Sequence, residues 1–156
     1  MKINWILLIG LIVACNLIGA LGALWTSSDG SWYKNIKKPT FNPPSWIFGP
    51  VWTILFTLMG ISLYLVWVAP SSNIRTIALI IFAIHFVLNV LWSYLFFGIN
   101  NPLASLIEIF VLLIFIIVTG IYFYMVNKFA GYLLIPYLLW VSFASFLNYS
   151  IWKLNA

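Results

Sequence analysis

Polar positions are so sparse along this chain that they punctuate it. The charged residues Lys2, Asp29, Lys34, Lys37, Lys38, Arg75, Glu108, Lys128 and Lys153 leave charge-free runs over 3–28, 39–74, 76–107, 109–127 and 129–152. Each run reaches the ~17–25 residues that an apolar helix needs to cross a bilayer. The pattern predicts an all-α membrane protein: one domain over 1–156, a bundle of five transmembrane helices with a long first loop as lid. The spans are expected at about 4–25, 46–69, 75–98, 102–126 and 129–152. The first resembles a signal peptide, and Ile12-Val13-Ala14-Cys15 a lipoprotein cleavage site. Hydrophobicity nevertheless continues through Asn16 to Trp25, so an uncleaved span is expected.

Local signals sharpen these elements. Cys15, Gly19 and Ala23 recur every fourth position, with Gly10 and Ala14 as a further pair, and such ladders let helices approach closely in lipid. The ladder suits packing within the chain or a dimer seam. Residues 26–45 are the only long polar connection. Thr26–Ser31 reads as a turn, Trp32–Lys38 as a short interfacial element and Pro39–Pro44 as extended chain, because residues before proline avoid the α region. A loop of that length suits a functional lid. Pro50 and Pro136 are expected to kink spans two and five. Asn101 reads as an N-cap with Pro102 at the first helical position.

Composition narrows the class. With 65% hydrophobic and 6% charged residues and a mean hydropathy of +1.13, the chain lies far from the about 25% charged residues of soluble domains. A soluble enzyme, a disordered tail and a disulfide scaffold are excluded. The net charge of +5 points to membrane lipid and not to nucleic acid: the Lys/Arg side chains lie at run ends or in the first loop, where they meet headgroups. Their count on the two sides leans toward a cytoplasmic first loop and C-terminus.

Candidate chemistry is aromatic. Trp5, Trp25, Trp46, Trp67 and Trp152 sit near span ends, as an interfacial belt requires. Trp52 and Trp140 each follow a proline kink, and Trp92 lies deep in span three, so a belt competes there with an aromatic-lined cavity. His85, Asn89 and Ser93 share one helix face, as do Trp140, Ala144 and Asn148. Intramembrane polar groups usually face the bundle interior, where hydrogen bonding between helices competes with ligand binding. His85 suits haem ligation or packing, and packing is the commoner role of a histidine without metal-ligand companions. Glu108 is expected near the interface. No metal site, nucleophilic triad or dinucleotide fingerprint can be assembled. Leu147, Tyr149 and Lys153 fit a proposed sterol pattern that any span ending in aromatics and a lysine often matches.

Several motifs together resemble the TspO/translocator-protein family, the tryptophan-rich sensory proteins or peripheral benzodiazepine receptors. They are Trp32-Tyr33, Lys38-Pro39, Phe41 through Thr53 (FNPPSWIFGPVWT), Met59-Gly60, Asn89 with Trp92, Phe96-Phe97-Gly98, Pro136-Tyr137 with Trp140, and Leu147-Asn148-Tyr149 with Trp152. The resemblance spans nearly the whole chain. It implies a homodimeric five-helix membrane receptor with an aromatic pocket under the first loop. That pocket takes tetrapyrroles such as protoporphyrin IX and haem, and drug-like aromatic ligands of the isoquinoline carboxamide and benzodiazepine types. It implies no obligate cofactor, porphyrin being ligand or substrate. Any enzymatic activity is at most a light- and oxygen-dependent porphyrin degradation without conventional catalytic residues, tied to stress and porphyrin homeostasis. By the resemblance, Trp52 and Trp140 match the tryptophans of porphyrin breakdown, and Trp32, Asn89, Ala144 and Leu147 match pocket-lining positions. Lys34, Lys37 and Lys38 would edge the pocket and meet ligand carboxylates. Phe56 replaces a frequent Tyr, Lys153 a usual Arg, and no basic tail follows Ala156, which favours a bacterial-type member, multi-pass in the cell membrane. The alternative is a transporter of tetrapyrroles or other amphiphiles such as sterols, although no inverted repeat or intramembrane ion site is evident.

Overall fold

The computed structural model describes residues 3–28 and 30–156, with only the backbone of Ser27, Ser28, Gly30 and Ser31. Lys2 and Asp29 lie outside the described residues. The described elements are helical: α1 (Trp5–Ala20), α2 (Ala23–Ser28), α3 (Gly30–Asn35), α4 (Ser45–Trp67), α5 (Asn73–Ser93) running into a π-helical turn at Tyr94–Gly98, α6 (Pro102–Val126), α7 (Lys128–Leu133) and α8 (Ile135–Asn155). With α2 joined to α1 and α7 to α8, they form five helices long and apolar enough to cross a membrane. At 1.5 Å per residue the 23 residues of α4 reach across the ~30 Å hydrocarbon layer. Within lipid such helices satisfy their own backbone hydrogen bonds, and only their ends need other partners.

Those ends are capped by short polar side chains. Asn4 Oδ1 accepts from Leu7 N at 3.1 Å, Ser72 Oγ from Arg75 N at 3.1 Å and Asn101 Oδ1 from Ala104 N at 3.0 Å. Each such cap contributes about 1 kcal/mol. Asn127 ends α6 and starts α7, its Oδ1 accepting from Phe129 N and Ala130 N. Asn100, between the π turn and α6, carries a positive φ of 54°, a left-handed conformation that Asn tolerates better than most residues.

Helix order around the bundle is α1, α4, α7/α8, α6, α5 and back to α1. The small-residue ladder serves packing within the chain. Cys15 is buried and a Cβ on Gly19 would run into the Phe56 ring. Gly10, by contrast, has open space around it. On the opposite partner, a Cβ on Gly60 would meet the Ile12 backbone, so α1 and α4 touch nearly backbone to backbone. The outer face of α1 (Ile6, Ile9 and Leu17) is exposed, as a lipid-facing surface would be.

Three expectations need correction. Of the turn expected over Thr26–Ser31, Thr26–Ser28 and Gly30–Ser31 are helical and Asp29 lies outside the described residues; Thr26 Oγ1 donates to Ala23 O at 2.9 Å. Span five breaks at Leu134 and does not bend through Pro136: the Leu134 N–H turns to Gly131 O at 3.1 Å, and Pro136 begins a fresh helix in its first turn, where proline's missing N–H costs nothing. Glu108, expected near the interface, is buried on the inward stripe of Ser105, Ile109, Leu112 and Ile116.

The break at Leu134 shapes the interior. Before it, α7 packs on α4, and Ser62 Oγ donates to Ala130 O at 2.7 Å. After it, α8 leans toward α6 and stands off from α4. The helices are therefore zipped at one end and splayed at the other, beneath residues 26–45.

Candidate functional site

The splayed end holds a partly open cavity of about 540 Å³, within the ~300–1,000 Å³ range of small-molecule sites. Its walls come from all the long helices except α6. Helix α4 contributes Phe48, Trp52 and Phe56, a ladder of rings at i, i+4 and i+8, with Trp52 stacked on Phe56 at 5.3 Å. Helix α8 contributes Trp140, Ala144, Leu147 and Asn148 at the spacing that keeps one face inward. Helix α5 contributes Asn89, Trp92 and Ser93, and the π turn adds Phe96 and Phe97. Widening the helix there rotates Phe96 into the bundle, where it stacks on Trp92 at 5.2 Å with an 18° tilt. Such single π turns recur at functional sites.

Polar atoms in this wall are mostly satisfied. Trp92 Nε1 donates to Asn148 Oδ1 at 3.0 Å, and Asn148 Nδ2 donates to Pro102 O at 2.8 Å. Asn89 Nδ2 donates to Tyr137 OH at 2.9 Å. Asn16 Nδ2 bonds Ile12 O and Thr57 Oγ1. Trp140 is the exception: its Nε1 is buried without an acceptor, although its ring rests against Phe48 and Phe143. A buried indole N–H wants a partner, and this one belongs to a cavity-lining ring.

The lid is pinned by side chains. Trp32 meets Phe96 edge-on at 5.5 Å and Tyr33 meets Phe97 at 5.5 Å. Tyr33 OH donates to Asn42 Oδ1 at 3.0 Å, and burial holds that phenol above its usual pKa, so it remains a neutral donor. Phe41 stacks on Phe146 at 5.1 Å. Asn155, near the end of α8, forms a two-way clamp. Its Oδ1 accepts from Lys37 N and its Nδ2 donates to Lys37 O, both at 2.9 Å.

Trp52, Asn89, Trp92, Trp140, Ala144 and Leu147 all border the cavity. Trp32 does not; it packs behind Phe96 as part of the lid's underside. Of the three lysines expected at the edge, only Lys34 borders the cavity. Lys37 is held by Asn155, and Lys38 lies over the Tyr33 ring at 4.7 Å. His85 is fully buried among Phe82, Phe86 and Tyr137 and does not border the cavity. Leu147 points inward while Tyr149 and Lys153 are exposed, so the three positions of the sterol pattern do not converge on one surface. Asn16, Phe48 and Asn155 escaped the sequence reading. The i, i+4 step from Phe48 to Trp52 was the available signal for one of them, and an asparagine inside an apolar span for another.

A profile of the TspO/MBR family matches residues 11–153. The chain is 46% identical over 146 residues to the tryptophan-rich protein TspO of Chlorobaculum tepidum, covering 90% of each. It is 45% identical over 154 residues to the protein of that same name from Archaeoglobus fulgidus, covering 98% of this chain and 99% of the relative. To the translocator protein of Bos taurus it is 33% identical over 154 residues, covering 97% of this chain and 91% of the relative.

Proposed function

This multi-pass membrane protein belongs to the TspO/MBR family, and on that premise we propose that its cavity binds a flat tetrapyrrole such as protoporphyrin IX or haem and promotes light-driven oxidation of the bound porphyrin. One observation carries the reading. The apolar, ring-lined cavity holds a single buried indole donor without a partner, Trp140 Nε1, and has an ammonium group, Lys34, at its border. Rings suit the faces of an apolar macrocycle, a lone donor suits a polar atom within it, and Lys34 suits its carboxylate arms. Drug-like aromatic ligands of the isoquinoline carboxamide and benzodiazepine types would compete for the same walls.

Light absorption and sensitisation of dioxygen are chemistry that the porphyrin supplies when bound. The chain's own residues hold and orient it, exclude water through the lid, and offer the oxidisable indoles of Trp52 and Trp140. Among the described residues, the titratable side chains that border the cavity are Lys34 and Tyr33. A homodimer and a location in the cell membrane complete the proposal, the latter following the prokaryotic relatives. Titration of the purified protein with protoporphyrin IX, followed by Soret absorbance and quenching of tryptophan emission, tests it. Saturable quenching at micromolar porphyrin, weakened by Lys34→Glu, is expected; linear, unsaturable quenching removes the reading.

A further inference from the structure

We propose that the ligand reaches the cavity sideways from the bilayer, between α4 and α8, with the Trp140 indole as the gate. This deepens the reading of the cavity as a tetrapyrrole site and rests on it. Outside the cavity, between the same two helices, lies an open groove whose walls include Ile47, Val51 and Leu55 on one side and Leu139 and Phe143 on the other. Apart from the Trp140 indole, none of its described lining side chains carries a polar atom. Trp140 is the one described residue that borders both the groove and the cavity, so its ring is the partition between them.

Two features make that partition movable. The indole is held by ring contacts to Phe48 and Phe143 and by no hydrogen bond at Nε1. Turning it therefore breaks dispersion contacts, each individually small, and no polar pairing. The gap it closes exists because α8 begins afresh at Ile135, after the Leu134 break, and stands off from α4. The lid, by contrast, is held by polar pairing as well as by rings: Trp32 against Phe96, Tyr33 against Phe97, and the paired Asn155–Lys37 hydrogen bonds. A flat amphiphile dissolved in lipid already faces the groove, and its macrocycle would cross only apolar surface on the way in. A lipid-facing mouth without polar groups suits no water-borne solute.

The test uses the full-length protein in liposomes whose bilayer is preloaded with protoporphyrin IX, with association and dissociation read from tryptophan quenching. Val51→Phe adds bulk in the groove, and Leu139→Ala, at a lipid-exposed position, widens it. Neither residue borders the cavity. Val51→Phe should slow association and dissociation together by about tenfold and Leu139→Ala should speed both, with Kd held within about twofold, since a gate changes rates and not end states. Asn155→Ala, which releases the lid, should leave both rates unchanged. Rates unaffected by either groove variant, or accelerated by Asn155→Ala alone, overturn the lateral route while leaving the cavity's affinity intact. If Val51→Phe does not fold, the acceleration by Leu139→Ala decides. Absence of saturable quenching in the parent is a separate result, and it removes the binding site itself.

Discussion

The lid end and the far end of the bundle are built from the same helices, yet one is hollow and the other solid. At the far end the closest approaches are made by small residues. Gly60 admits the Ile12 backbone, Gly131 sits against the Tyr124 backbone, and Ser62 bonds Ala130 O. Around them Met59, Val66, Ala78, Phe123 and Ala130 are completely buried, and Phe82 stacks on Phe123 at 5.4 Å. At the lid end the inward positions of α4 and α8 carry Phe48, Trp52 and Trp140 instead. Rings that large hold the helices apart, and lipid offers no hydrophobic force to close the gap from outside. The Trp92–Asn148 and Asn89–Tyr137 hydrogen bonds then stiffen the open wall. Stability is thus concentrated where backbones touch, and ligand capacity where they cannot.

If that division holds, the greatest damage comes from separating backbones at the far end. Gly60→Val would push its branched side chain into the Ile12 main chain, an overpacking that costs about 3 kcal/mol when helices must shift. We expect failure to fold or a large fall in the thermal midpoint in detergent. Gly120→Ala, in open space on α6, is the control and should gain about 0.5–1 kcal/mol from the better helix former. Equal behaviour of the two glycines would break the comparison at its base.

Next in size are changes that alter chemistry at the lid end and spare the fold. Trp52→Phe and Trp140→Phe preserve most ring volume but remove the indole N–H and the more readily oxidised ring. Each should keep its thermal midpoint and most porphyrin binding while losing about tenfold or more in light-driven degradation, followed by loss of Soret absorbance. The double variant should be scarcely worse, because effects within one working unit are not additive. Trp5→Phe, on an exposed face of α1, should match the parent. Undiminished degradation in both single variants would leave a binding pocket without this chemistry.

A smaller effect belongs to the lid itself. Asn155→Ala removes both hydrogen bonds to the Lys37 backbone, each worth about 1 kcal/mol. The Lys37 amide should exchange with solvent several-fold faster, with far-end amides and the thermal midpoint unchanged. Acceleration spread through the whole bundle would show that lid and core are one cooperative unit.

The sequence made the punctuation between helices legible because lipid permits so few alternatives. A charge-free run must be a span, and Asn101-Pro102 reads as a helix start from local chemistry alone. The facing of Trp52, Trp92 and Trp140 was also readable, since each is a poor fit to an interfacial belt. Positions that depend on backbone irregularity were not. The π turn at Tyr94–Gly98 rotates Phe96 inward, and nothing in the hydrophobic pattern distinguishes that turn from ordinary α-helix. The break at Leu134 looked like a kink at Pro136, because proline tolerates both the middle and the first turn of a helix. Trp32 fell behind Phe96 for the same reason: its place depends on where the π turn puts its neighbour. The Asn155 clamp joins residues 118 positions apart, beyond any local signal.

The smallest expected effect tests the comparison most finely. Ser62 is fully buried at the far end, and its Oγ donates to Ala130 O at 2.7 Å. In an unbroken helix that carbonyl would receive the Leu134 N–H, which here turns to Gly131 O and Tyr132 O at the α7 terminus. Ser62 therefore supplies a donor at the place where the break that opens the cavity withdraws one. Hydrogen bonds between membrane helices contribute only about 0.6 kcal/mol on average, so Ser62→Ala should lower the thermal midpoint by no more than a few degrees. The break itself is fixed by the Leu134 turn and by Pro136, so the cavity should survive and the Kd for protoporphyrin should stay within about twofold of the parent. A weakened Kd with an unchanged midpoint would mean that Ser62 sets the splay of α8 and not the strength of the α4–α7 contact, and the two ends would then be mechanically coupled.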